Sequence, residues 1–129
     1  MPKKQYSAFR VIPANATAFS GVIPAEEVRN NPESTFADHV QSVFAGLDDV
    51  LGKAGLTNRD MLKVTISISA ENESHAKGRF EIFRTLWEEW LKDVPEHLLP
   101  ARSTYPEISF LAGGALVEVT IDAAAPCGE

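Results

Sequence analysis

The segment Met61–Ser69 constrains the fold more than any other part of the chain. Leu62, Val64, Ile66 and Ile68 alternate with Lys63, Thr65, Ser67 and Ser69. A period of two puts the apolar set on one side of a strand and the polar set on the other. Such a strand needs a cover on one face only, and the stretches on either side can supply it. Before it, Phe36, Val40, Val43, Phe44, Leu47, Val50, Leu51 and Ala54 recur in steps of three and four, the spacing of an amphipathic helix. Thr35 with Asp38 predicts its N-terminal cap, and Gly55 its stop. After the strand, from about Asn72, Ala76, Phe80, Phe83, Trp87 and Trp90 share one helical face, with Leu86 and Leu91 beside them. Pro95 is expected to end this second helix. At this spacing its aromatic stripe is expected in the core rather than around a ligand.

The outer segments read as further strands. Gln5 to Ile12 is expected as the first, Pro13-Ala14-Asn15 as a turn, and Ala16 to Val22 as the second strand of a hairpin. Pro24 to Pro32 reads as polar and irregular. Ser103 to Phe110 is expected as a strand whose Pro106 implies an edge or a bulge. Ala112-Gly113-Gly114 is a turn. Ala115 to Ala123 closes the chain, with Val117, Val119 and Ile121 on one face and Glu118, Thr120 and Asp122 on the other. The order β-β-α-β-α-β-β implies an α+β domain, a mixed sheet with both helices on one face. No repeat or linker divides residues 1–129, so they are expected to form one domain, with 1–4 and 126–129 mobile. The helix-free face would carry Lys63, Thr65, Ser67, Glu118, Thr120 and Asp122. It is either solvated or a wet subunit interface, and periodicity does not choose between them.

Charge and composition exclude several classes. Twelve basic against eighteen acidic side chains give −6, which argues against nucleic acid held on a broad phosphate-binding face. No apolar run approaches the ~18 residues of a membrane helix, and the start Met1 to Tyr6 is not followed by a secretory apolar stretch. The single cysteine, Cys127, can form no internal disulfide, which fits a reducing, cytoplasmic setting. His39, His75 and His97 lack metal-ligand spacing, so no metal is expected. Cys127 sits in a Pro-, Gly- and Ala-rich tail rather than the ordered electropositive pocket a nucleophile needs. Ser20-Gly21 is not a nucleophile elbow, and there is no dinucleotide or P-loop glycine motif.

The most suggestive string is Pro100-Ala101-Arg102-Ser103. An arginine at the mouth of a strand, behind a stiffening proline, can grip a carboxylate with two parallel hydrogen bonds. The plain alternative is an arginine paired with a surface acid. With this string the chain resembles the reactive-intermediate deaminase family, YjgF/RidA. The likeness runs from Phe19-Ser20-Gly21-Val22-Ile23-Pro24 through Phe44 to Leu51 with Ala54-Gly55-Leu56, then Asp60 to Ile66, Pro100 to Thr104, and Gly113 to Val119. It thus covers nearly the whole chain in the family's order.

The resemblance implies a chorismate-mutase-like domain that assembles as a homotrimer, its sheets forming a central barrel with clefts between neighbours. It implies hydrolysis of reactive enamines and 2-imino acids to 2-oxo acids and ammonia, with no metal or organic cofactor. Arg102 matches the arginine that holds the substrate carboxylate. Thr104 matches the position whose main chain faces the imine, Glu118 the acid that directs water, and Ser20 a small polar residue lining the cleft. The family's Gly-Pro-Tyr segment is absent, and either Tyr6 or Phe9 stands for its aromatic. The asparagine of the second helix is replaced, with Phe80 the candidate at its place, and one residue is added near Pro106. A trimer that binds small carboxylates without chemistry is the alternative. A ribonuclease, a label the family also carries, fits poorly with the charge.

Overall fold

The computed structural model describes residues 4–107 and 111–125. Its elements in chain order are β1 (Thr17–Ala18), α1 (Glu26–Arg29), α2 (Phe36–Lys53), β2 (Met61–Ser69), α3 (Glu73–Trp90), β3 (Ala101–Glu107) and β4 (Val117–Ala123). Single 3-10 turns lie at Asn58–Asp60, Glu96–Leu98 and Ala112–Gly114. The sheet runs β1-β4-β2-β3. β2 pairs in parallel with β3, across the α3 crossover, and antiparallel with β4. The fold is the expected α+β arrangement of a mixed sheet and helices.

Helix α2 has both predicted ends. The Thr35 hydroxyl accepts from the Asp38 N–H at 3.1 Å, and the Asp38 carboxylate accepts from the Thr35 N–H at 2.9 Å. At the other end Gly55 takes φ +74°, while Leu56 N–H bonds Leu51 O at 2.8 Å and Gly55 N–H bonds Gly52 O at 3.0 Å. Only glycine enters that conformation without strain. Val40, Val43, Phe44, Leu47 and Leu51 of α2 are buried with Phe83 and Trp87 of α3 against Val64, Ile66, Ile68, Val117, Val119 and Ile121. The stacked Phe44 and Trp90 rings, 4.5 Å apart, and the edge-on Phe44 and Phe83 rings, 5.8 Å apart, join the two helices.

The structure corrects several expectations. Gln5 to Ile12 is not a strand. Ser7 makes one parallel bridge to Ala101 beside β3, whereas Thr17–Ala18 pairs with β4 at the opposite edge. The two segments therefore form no hairpin; each finds an open edge of the sheet instead. The Pro24–Pro32 stretch contains the single helical turn α1. Helix α3 ends at Trp90, before Pro95, and Pro95 instead caps the 3-10 turn that follows. A bulge between Met61 and Lys63 turns Met61 toward the core cluster in place of Leu62, because one extra residue inverts the alternation beyond it.

Pro106 does lie on an edge strand, and the β2–β3 register runs without interruption through Glu107. The expected bulge at Pro106 is thus absent from 101–107. Residues 108–110, the end of that expected strand, lie outside the described residues. So do 1–3 and the tail 126–129 with Cys127, for which mobility was expected.

Candidate active site

Arg102 and Thr104 stand two apart on β3, opposite Val64 and Ile66 of β2. They therefore share the helix-covered side of the sheet, next to α3. Together with Ile68, Phe80, Glu81, Phe83 and Arg84 they line a cavity of about 130 Å³. The Arg102 guanidinium lies 5.0 Å from the centre of the Tyr6 ring and 5.7 Å from that of Trp87, a cation held between aromatic faces. It donates to Gln5 Oε1 at 3.4 Å, and Gln5 in turn donates to Glu88 Oε1 at 2.7 Å. Trp87 Nε1–H bonds the Gln5 carbonyl at 2.9 Å. Burial lowers the Arg102 pKa from its ordinary value, Tyr6 opposes that, and the like charge of Arg84 adds to it. An arginine stays charged even so. Among the described residues no carboxylate lies within ion-pair distance of it.

Glu118 occupies the other side of the sheet. It faces Ser67 across β2–β4, with Thr65 opposite Thr120 and Lys63 beside Asp122. The polar set expected on the helix-free face is found there, joined by Ser103, whose hydroxyl accepts from Lys63 Nζ at 2.7 Å. The segment after β1 runs along Glu118. Val22 and Val119 exchange backbone hydrogen bonds of 2.7 and 3.0 Å, and Gly21 lies so close that a Cβ there would collide with Glu118 Oε2. Ser20, exposed, directly precedes it.

The four sequence-derived residues therefore form two half-sites, Arg102 with Thr104 and Glu118 with Ser20. β2 separates their strands, about 10 Å of sheet, and the side chains leave opposite faces. Within one chain Glu118 is therefore not brought to the Arg102 cavity.

Sequence reasoning missed Gln5, Glu81 and Arg84. Arg84 follows Phe80 by one helical step, so the stripe that pointed Phe80 inward could have flagged it. Of the two aromatic candidates, Tyr6 stands over Arg102, while Phe9 is 78% exposed. Phe80 lines the Arg102 cavity. The aromatic stripe is core at Phe83 and Trp87, but its Phe80–Phe83 edge is also cavity wall. His75 Nδ1 accepts the Glu71 N–H at 3.1 Å, part of the start of α3. A larger open groove of about 920 Å³ between α1 and α2 contains none of these residues.

A model of the endoribonuclease L-PSP family matches residues 1–125, and the chain belongs to that family, known as YjgF/RidA. Among solved structures it is similar to protein YjgH, with 25% identity, a TM-score of 0.69, and coverage of 95% of this chain and 85% of the other. A YjgF-family protein of Neisseria meningitidis is 24% identical at a TM-score of 0.65, covering 97% and 91%. A Rid-family protein of Yersinia pestis, YyfB, is 17% identical at 0.68, covering 91% and 85%. No curated protein matches the sequence. Among the described residues no helix is long and apolar enough to cross a membrane.

Proposed function

We propose that the protein is a cofactor-independent deaminase that hydrolyses small 2-imino acids, or their enamine tautomers, to 2-oxo acids and ammonia. The observation that carries this reading is the Arg102 cavity: a desolvated guanidinium without a carboxylate partner among the described residues, backed by aromatic rings, beside Thr104. Such a group offers two parallel N–H donors to a planar carboxylate, in a setting where the pair is weakly screened.

The reaction needs little else. Water adds to C2 of the imine, its oxygen bonding the carbon while a water proton passes to the Glu118 carboxylate. That proton passes on to the nitrogen to complete the carbinolamine, which then collapses: its hydroxyl proton moves to the nitrogen by way of the same carboxylate, the C–N bond breaks, the carbonyl forms and ammonia leaves. In this reading Ser20 lines the cleft near Glu118. Because Arg102 and Glu118 lie on opposite faces, the complete site forms where two copies meet, in the homotrimer the family resemblance implies. The exposed Phe9, Val11, Ile12 and Tyr105 and the polar open face support such contacts. The same reading assigns a cytoplasmic protein that binds neither membrane nor nucleic acid, in keeping with the net charge of −6.

The second reading is a trimer that binds small carboxylates without turning them over. Phe80 favours it, since an apolar ring takes a place in the cavity wall that a polar group could fill. The test is to generate imines in situ with an amino-acid oxidase, trap survivors with semicarbazide, and compare wild type with Arg102→Ala. Faster imine loss that disappears in a folded Arg102→Ala protein supports the deaminase. Binding of 2-oxo acids without faster imine loss supports the second reading.

A further inference from the structure

Arg102 is not the only guanidinium at its cavity. Arg84, one turn along α3 from Phe80, lines the same space. Among the described residues it has no ion pair. Of the acids that helix spacing offers it, Glu88 four residues on is turned to Gln5, and Glu81 three residues back makes no ion pair with it. Two arginines thus line one small cavity with Glu81 as the only carboxylate among its described lining residues. Their repulsion contributes to lowering the Arg102 pKa, and an anion between them would relieve it.

A single carboxylate is satisfied by Arg102 alone. A molecule whose side chain ends in a second carboxylate would reach both cations. About 130 Å³ is room for roughly four waters at ~30 Å³ each, so the ligand is small. We propose that this cavity selects dicarboxylic 2-imino and 2-oxo acids, with Arg102 on the first carboxylate and Arg84 on the second. The inference deepens the reading of Arg102 as a carboxylate anchor and rests on it. Arg84 is the specificity-determining residue, and Glu81 tempers its charge.

The test compares 2-oxoglutarate with 2-oxopentanoate, which has the same chain length and lacks the second carboxylate. Binding is followed by tryptophan fluorescence, since Trp87 lies beneath Arg102. 2-Oxoglutarate is expected to bind about tenfold more tightly, the scale of one exposed charge-assisted hydrogen bond. Arg84→Met should abolish that preference, and Glu81→Gln should enlarge it. Arg84 is solvent-exposed, so its replacement should leave the unfolding midpoint where it is.

Equal binding of the two acids, or a preference that survives Arg84→Met, overturns the inference while leaving the Arg102 reading intact. Tighter binding of 2-oxo-5-guanidinopentanoate than of 2-oxoglutarate overturns it in favour of Glu81 as the selecting group. If neither acid binds wild type and no imine is hydrolysed, the anchor reading falls and this inference with it.

Discussion

The Trp87 indole N–H bonds the main-chain carbonyl of Gln5 at 2.9 Å, across 82 positions of sequence. That bond ties the N-terminal segment to α3. It also sets the Tyr6 and Trp87 rings near the Arg102 guanidinium. A residue chosen by its spacing as core is therefore also part of the wall around Arg102.

Trp87→Phe should separate those two roles. It keeps a buried ring but removes the N–H, leaving the Gln5 carbonyl without its partner. Stability should fall by about 1–3 kcal/mol, from lost volume and one lost hydrogen bond. Binding of 2-oxo acids should weaken as well. Urea unfolding and a binding titration on one preparation, with Trp90 as the remaining fluorophore, check both.

Gly21→Ala should disable Glu118 without disturbing the fold. The added methyl would occupy the place of Glu118 Oε2, and a half-buried side chain moves more readily than a strand. Imine hydrolysis should drop by about 10²-fold, the scale of a misplaced proton acceptor, while 2-oxo acid binding at Arg102 persists. A variant that hydrolyses imines at the wild-type rate would remove Glu118 from the mechanism.

Two inactive variants should rescue each other. If the half-sites on opposite faces of the sheet meet only between copies, Arg102→Ala and Glu118→Gln chains unfolded, mixed and refolded together should regain activity that neither shows alone. A mixture that stays inactive, with sedimentation showing mixed trimers, would argue against a shared cleft.

His39 should make stability depend on pH. It is 3% exposed, and its Nδ1 accepts the Leu116 N–H at 3.3 Å. Burial lowers its pKa from the ordinary 6.5; Arg79 and Arg29 act in the same direction, and Asp38 opposes them. With the folded value below the unfolded one, the unfolded chain binds more protons as pH falls past about 6.5. The His39 contribution is whole above that pH and is lost progressively as pH drops toward the folded value. The urea midpoint should decline between pH 7.5 and 5.5, and the decline should be shallower in His39→Gln.

Much of this protein is carried by short-range pattern. The alternation of β2, the capped stripe of α2 and the aromatic stripe of α3 each depend on neighbours within a turn or two, so they are legible along the chain. The edge position of Pro106 is legible for a similar reason, since proline lacks the N–H a central strand must donate.

What needed the tertiary structure is whatever depends on which strand lies beside which. Alternation along β4 already sends Glu118 to the helix-free face, but the face taken by Arg102 is decided only by its pairing opposite Val64. The same dependence on pairing exchanges Met61 for Leu62 at the bulge and sends the first two segments to opposite sheet edges. It also chooses Tyr6 over Phe9 beside the arginine and lays Gly21 against Glu118. Side-chain direction in a strand has a period of two, so each face assignment turns on a one-residue register that non-local hydrogen bonds decide.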